Sequence, residues 1–85
     1  MTIFANNMLK VTKAEYGGDY TIVCTFNNGE TKKVDISALF HLPIFAELKD
    51  MNEFMRFGLD PFTVCWDNGA DIAPNYLYNN GVAVS

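Results

Sequence analysis

The chain has 85 residues, of which 49 % are hydrophobic and 14 % aromatic, and its ten acidic and six basic residues give a formal net charge of −4 at pH 7. This length suits one compact domain, and the hydrophobic content excludes intrinsic disorder. Six lysine and arginine residues are too few for a large phosphate-binding surface, so we expect no direct nucleic-acid binding.

The first half of the chain has the pattern of a small sheet. Residues 1–7 are predicted to be an N-terminal extension, and a first strand begins at Met8. The turn sequence 16–19 contains two glycines, which accept positive φ at little cost. The next segment, 20–26, alternates apolar and polar residues and is the clearest strand in the sequence.

Two Asn-Gly pairs mark predicted hairpins. Asn28-Gly29 lies between the strand 20–26 and the β-patterned segment 31–35, which completes a three-stranded antiparallel meander. Asn68-Gly69 lies in a similar setting near the C-terminus. Because Asn-Gly favours the two-residue type I′ turn, we expect positive φ at both residues of each pair.

Short helices are predicted between the two hairpins. Asp35 can cap a turn that ends at Phe40, Pro43 can open a helix that ends at Leu48, and Asp50 begins a capping box. The apolar residues of this region have roughly helical spacing and are expected to cover one face of the sheet: Leu39, Phe40, Ile44, Phe45, Leu48, Met51, Phe54 and Met55.

The last third of the chain predicts a second hairpin and a final helical turn. The segment 57–59 reads as a strand or an extended link, and 62–66 reads as a strand that turns at 67–70 and pairs with 71–73. Pro74 then starts a helical turn.

The predicted domain organisation is simple. Residues 8–78 form a single α+β domain, and 79–85 form a C-terminal tail that is either frayed or paired. The fold class is therefore a small antiparallel sheet, made of the N-terminal meander and the C-terminal hairpin, packed against short helices.

No residue pattern predicts catalysis, a cofactor or a metal site. Asp67 and Asp71 flank a glycine turn, but a calcium loop needs a ladder of oxygen ligands and a distal glutamate that are missing here. His41 is the single histidine, and a structural role suits it better than catalysis. We therefore expect a protein that is not an enzyme.

Cys24 and Cys65 are too far apart for a metal knuckle and too few for a disulfide framework. Both lie in β-patterned runs, where cysteine behaves as a small buried hydrophobe. The N-terminus lacks a basic signal region, and no apolar run has membrane-spanning length. These features predict a cytoplasmic protein without membrane association.

Four residues of the closing segment are candidates for contact with a partner: Asp67, Asp71, Tyr76 and Tyr78. Carboxylates steer a basic partner, and tyrosines are enriched at interface hot spots. The alternative is that the tyrosines are half-buried parts of the fold. Of the two, Tyr78 at the end of its turn is the better candidate for exposure.

In the closing segment, Trp66 is followed by the Asn68-Gly69 turn, by Asp-Ile-Ala-Pro ending at Pro74 and by Leu-Tyr ending at Tyr78. The chain resembles the bacterial family called domain of unknown function 2442 from about Met8 to Tyr78, and this segment is the most specific part of the resemblance. The other residues that carry it include Phe26, Gly29-Glu30, Val34-Asp35-Ile36, Pro43, Phe45, Leu48, Asp50, Phe54 and Val64. Asn75 departs from the pattern, since an acid is expected there.

The resemblance implies an α+β fold, a prokaryotic or phage-like origin and no established catalytic residues. It also implies a gene that neighbours another small protein, as in a toxin–antitoxin-like pair. We therefore expect a non-enzymatic module that binds another protein, which is basic and co-encoded, and a small regulatory or ligand-binding domain is the alternative. The sequence leaves the oligomeric state open.

Overall fold

The structure is a computed structural model that describes residues 8–84. The predicted extension 1–7 and Ser85 lie outside the described residues. Four strands form an antiparallel sheet in the order β1-β2-β3-β6: β1 (Val11–Tyr16), β2 (Thr21–Phe26), β3 (Thr31–Asp35) and β6 (Val82–Ala83). The predicted meander is confirmed, and the fourth strand comes from the segment that the sequence assigned to the tail.

The alternation of β2 places its side chains as predicted. Ile22, Cys24 and Phe26 are buried, and the residues between them are half-buried on the outer face. Val34 of β3 pairs with Ile22 and is also buried. One face of the sheet therefore forms the floor of the hydrophobic core.

Both Asn-Gly turns differ from the prediction. In the first, Phe26 accepts a hydrogen bond from Gly29 N–H (2.9 Å) and donates its own N–H to Glu30 (2.8 Å). This pattern defines a three-residue loop with glycine in the left-handed region, and φ is +90° at Gly29. Among the described residues, Asp19 is the one non-glycine residue with positive φ. The type I′ prediction, which needs positive φ at Asn28 and Asn68 as well, is therefore wrong.

The second turn repeats the first in detail. Gly69 N–H donates to Trp66 O (3.1 Å), Trp66 N–H donates to Ala70 O (2.9 Å), and φ of Gly69 is +95°. The asparagine before each glycine accepts a hydrogen bond from the N–H two residues ahead, Glu30 or Ala70. The three-residue loop is favoured over the type I′ turn because this side-chain hydrogen bond closes the turn without positive φ at asparagine.

The helical elements are short, and Asp35 and Asp50 cap them as predicted. The capping box is not completed, because Asp50 N–H donates to Glu47 O instead of Glu53. Asp35 caps a 3₁₀ turn (Ile36–Leu39) by accepting Ser37 N–H at 2.9 Å, and Asp50 accepts Asn52 N–H at 3.0 Å. The helices are α1 (Pro43–Ala46), extended by a 3₁₀ turn (Glu47–Lys49), then α2 (Met51–Phe54) and α3 (Pro74–Asn80).

The predicted apolar face of these helices is only partly buried. Phe45, Leu48 and Phe54 lie in the core, whereas Ile44 and Met55 are exposed. Helices of four residues make about one turn each, so the chain changes direction before a single stripe can form. The spacing of the whole segment therefore overestimates how many of its apolar residues face the sheet.

A two-stranded sheet completes the fold, and it differs from the predicted hairpin in its partner strand. β4 (Gly58–Leu59) pairs with β5 (Val64–Cys65), and the expected pairing with 71–73 is reduced to one bridge between Cys65 and Asp71. The proline that starts α3 ends the extended conformation after this bridge.

Trp66 fixes the second turn to the helices. It is 5 % exposed, and its indole N–H donates to the carbonyl oxygen of Phe54 at 3.0 Å. The rings of Phe45 and Phe54 lie 6.2 and 6.1 Å from it, centroid to centroid. Within residues 8–84, no helix is long and apolar enough to cross a bilayer.

We predict that Gly69→Val destabilises the fold by about 1 kcal/mol or more, because a β-branched residue resists positive φ. An added Cβ would meet Ile44 Cδ1 only at 3.9 Å, so the cost comes from the backbone and not from a clash. The urea midpoint measures the effect.

The matched control is Gly58→Val, because Gly58 lies in β4 without positive φ and with open space around it. We expect the control to change the stability by less than about 0.5 kcal/mol. Equal midpoints for the two variants would contradict the role assigned to the turn.

Candidate functional site

The excess of acidic over basic residues lies in one segment of the chain. Residues 47–71 contain six acidic residues and two basic ones, Lys49 and Arg56. The rest of the chain contains four acidic residues and four lysines. The formal net charge of −4 therefore belongs to this segment alone. The six carboxylates are Glu47, Asp50, Glu53, Asp60, Asp67 and Asp71.

Three of these carboxylates lie in the β4–β5 region near the half-buried Cys65: Asp71 is bridged to Cys65, Asp60 follows β4, and Asp67 lies two residues after Cys65. Burial raises the pKa of Cys65, and the negative charges of Asp60, Asp71 and Asp67 raise it further. We call the carboxylates of Asp60, Asp67 and Asp71 the acidic edge.

The acidic edge is built on fixed backbone. The carboxylate of Asp60 accepts the N–H groups of Phe62 and Thr63, each at 2.7 Å. Asp71 is held opposite Cys65 by the β-bridge, and the side chains of both Asp67 and Asp71 are exposed. The charges are therefore presented from positions that the fold determines.

Asn68 holds the turn that carries Asp67 against α1. Its Nδ2 donates to Ile44 O at 3.1 Å and to Glu47 Oε1 at 3.0 Å, and its Oδ1 accepts Ala70 N–H at 2.9 Å. The amide thus uses both of its ends to connect two elements that are far apart in sequence. Asp67 stands next to this anchor.

A cleft of about 430 Å³ lies beside the acidic edge. Its walls are Met8, Leu9, Phe62, Pro74 and Asn75. The ring of Phe62 is 49 % exposed, and the N–H of the same residue is bonded to Asp60. The cleft and the carboxylates are thus joined through one loop.

Tyr78 is fastened to the sheet. Its ring packs edge-to-face on Phe26 with centroids 5.3 Å apart, and Lys32 Nζ lies 3.8 Å from its ring centroid. The hydroxyl donates to the Glu30 carboxylate, and this hydrogen bond, together with partial burial, raises the pKa of Tyr78. Lys32 Nζ also donates to Tyr78 O at 2.8 Å.

The four predicted partner-facing residues therefore fall into two groups. Asp71 is bridged to Cys65 and Asp67 lies in the turn that follows β5, whereas Tyr78 is directed to the β2–β3 turn through Glu30. Tyr76 is half-buried and packs against the core. Sequence reasoning missed Asp60, although a count of charge by segment would have indicated it.

The remaining reactive side chains have structural surroundings. Cys24 is fully buried, and burial raises its pKa to about 11. His41 is exposed, with Nδ1 3.0 Å from Ala38 O. These contacts give neither the Cys24 thiol nor the His41 imidazole a side chain that could act with it in catalysis.

The fold defines a small α+β domain with a four-stranded antiparallel sheet, a two-stranded sheet and short helices. The family model described as "Protein of unknown function (DUF2442)" matches residues 11–83, so the chain belongs to the DUF2442 family, as the sequence resemblance indicated. No curated protein and no solved structure matches the chain significantly.

We predict that the protein binds no Ca²⁺, Mg²⁺ or Zn²⁺ at a specific site. Among the described residues, no group of three or more histidine, cysteine, aspartate or glutamate side chains is arranged to hold a metal ion. Calorimetric titration at neutral pH measures this directly. A stoichiometric site of micromolar affinity would falsify the prediction.

A second prediction concerns the potential at Cys65. Replacing Asp71 by Asn removes one of the charges that raise the pKa of the thiol, so the pKa should fall toward its ordinary value. The pH dependence of iodoacetamide alkylation, followed by mass spectrometry of the Cys65 peptide, should shift to lower pH.

Asp19→Asn is the matched control, because it removes the same charge from the β1–β2 turn and asparagine tolerates positive φ there. We expect its alkylation profile to equal that of the parent protein. An Asp71→Asn profile that also coincides with the parent would show that no negative field acts on the thiol.

Proposed function

We propose that this protein is a non-enzymatic interaction module that binds a basic protein through the acidic edge. We further propose that it is the acidic member of a pair encoded by neighbouring genes, as the sequence resemblance implies. The observation that carries the proposal is the placement of Asp60, Asp67 and Asp71 on the two-stranded sheet and its turns, with Asp71 bridged to Cys65, within the segment that holds the entire net charge.

The carboxylates would guide the encounter with the partner. Opposite potentials speed the association of two proteins and disfavour partners of the wrong charge. Asp67 and Asp71 are exposed, so a lysine or arginine of the partner can reach them without displacing a packed side chain. Asp60 already accepts two backbone N–H groups, so it contributes mainly through its charge.

The cleft would supply the affinity that exposed charges lack. Exposed ion pairs are each worth about 1 kcal/mol or less, whereas an apolar side chain in a pocket is a typical hot spot. The walls of Met8, Phe62 and Pro74 fit one apolar side chain of the partner. A basic segment that carries such a side chain matches both features.

The test measures binding between the purified chain and the purified basic product of the neighbouring gene. The double variant Asp67→Asn/Asp71→Asn should weaken binding about tenfold, or ~1.4 kcal/mol. The loss should shrink as salt is added, because salt screens exposed charges. Titration calorimetry at low and high ionic strength gives both quantities.

Glu15→Gln/Asp19→Asn is the matched control, since it changes the net charge equally in β1 and the β1–β2 turn, outside the acidic edge. Glu15 pairs with Lys13 at 3.5 Å in an exposed ion pair, whose loss costs little. An equal loss for both double variants would mean that only total charge matters. Absence of binding by the parent chain would overturn the proposal.

Tyr78 is a weaker probe of the interface than the acids. Its ring supports Phe26, so Tyr78→Ala should lower the thermal midpoint as well as any binding. Tyr78→Phe keeps the ring and removes only the hydroxyl bonded to Glu30. Binding that survives in Tyr78→Phe but falls in Asp67→Asn would place the interface at the acidic edge.

A further inference from the structure

The two edges of the four-stranded sheet differ. The edge at β1 is covered, because Val11 N–H donates to Phe62 O at 2.9 Å and the β4 segment packs along the strand. The edge at β6 carries no further strand in the part of the chain that the structure describes. Natural proteins normally protect such edges with charge, proline or a covering segment.

The register shows which backbone groups face this open edge. Phe26 N–H donates to Glu30 O. Because the hydrogen-bonding direction alternates along a strand, the backbone groups of residues 30, 32 and 34 point to β2. Thr31 and Lys33 then face β6, and Val84 N–H donates to Thr31 O at 3.0 Å. Ala83, opposite Lys32, therefore directs its N–H and C=O away from β3, to the open edge.

The side chains at this edge are apolar and exposed. Val82 and Val84 lie on the outer face of the sheet and are 71 % and 45 % exposed. Residues 72–84 contain no charged residue. The edge therefore lacks the charges and prolines that prevent strand pairing.

The position of β6 is fixed by a close approach at Gly81. A Cβ at Gly81 would lie 2.8 Å from Leu77 O and 2.8 Å from Lys32 Cβ. Only glycine allows the chain to leave α3 and pass this close to β3. The close approach at Gly81 therefore fixes the position of β6 and of its open edge.

We propose that two copies of this chain pair through β6 in antiparallel orientation and form a continuous eight-stranded sheet. A two-fold axis between Ala83 and its symmetry mate lets the two residues exchange both backbone hydrogen bonds. Val82 then lies opposite Val84 of the second copy, and Val84 lies opposite Val82 of the second copy. The edge is complementary to itself in hydrogen bonding and in side chains.

The charge distribution favours a second copy at this edge. The acidic segment 47–71 contributes β4, which packs along β1 at the opposite edge of the sheet. With strands about 4.8 Å apart, the two β1 strands of the dimer lie roughly 34 Å apart. Asp60, which follows β4, is therefore several Debye lengths from its counterpart in the second copy, and residues 72–84 add no charge at the pairing edge. The dimer also leaves the acidic edge free, and it does not depend on the proposed function.

The interface is small, so the dimer should be weak and concentration-dependent. Sedimentation velocity between about 10 μM and about 1 mM should show a monomer–dimer equilibrium. A parent chain that stays monomeric throughout this range would overturn the proposal.

Substitutions at the edge locate the contact. Ala83→Pro removes the outward N–H and leaves the bonds to β3, so it should give a folded monomer. Val82→Lys adds a charge at the edge and should weaken the dimer at least about tenfold. Asn52→Lys, which adds the same charge on exposed α2, should stay within about twofold of the parent. If Ala83→Pro fails to fold, Val82→Lys decides, and a dimer unchanged by Val82→Lys places the interface elsewhere.

Cross-linking tests the register itself. Ala83→Cys should form an intermolecular disulfide, because the paired Cα atoms across the axis lie about 5.5 Å apart. Val82→Cys should not, since the two copies of that residue are separated by roughly 8 Å, beyond disulfide reach. The parent protein, which keeps Cys24 and Cys65, controls for native thiols. The reverse pattern would contradict the antiparallel pairing centred on Ala83.

Discussion

The side chain of Phe54 connects the parts of this fold that cannot be stable alone. It is fully buried, and its ring meets those of Tyr20 and Trp66 at centroid distances of 5.3 and 6.1 Å, with Tyr16 and Phe57 at 6.3 Å. Its carbonyl oxygen accepts the indole N–H of Trp66. Helices of four residues do not persist in water by themselves, so the segment between the two hairpins owes its order to this aromatic cluster.

The sequence indicated elements where the chemistry is local. Asp35 and Asp50 cap the turns they were expected to cap, because a carboxylate reaches backbone N–H groups only two residues away. The turn type at Asn28 was mispredicted, since the same amide closes a loop one residue longer. β6 has two residues, which is too short for alternation to be visible, and β4 lies in the segment 57–59, for which the sequence predicted either a strand or an extended link; tertiary pairing decides both.

In the candidate site, too, the features set by local sequence were predictable and those set by tertiary contacts were not. Exposure of Asp67 and Asp71 follows from their places in and beside a turn, which the sequence reveals. The surroundings of Tyr78 do not follow, because Glu30 and Lys32 lie more than forty residues away. Asp60 joins the acidic edge only because β4 pairs with β5 and brings Cys65 near it. Local polarity was therefore predictable, and the placement of Asp60 beside β5 was not.

Asn68 has a consequence for the chemical ageing of the protein. An asparagine followed by glycine is the pair most prone to deamidation, because glycine leaves its own backbone nitrogen free to attack the side-chain amide. Here that amide donates to Ile44 O and Glu47 Oε1. Its hydrolysis would remove both donors and set a new carboxylate beside Glu47, so the second turn would separate from α1. The amide that holds the second turn against α1 is thus also the group whose deamidation would release the turn in a stored sample.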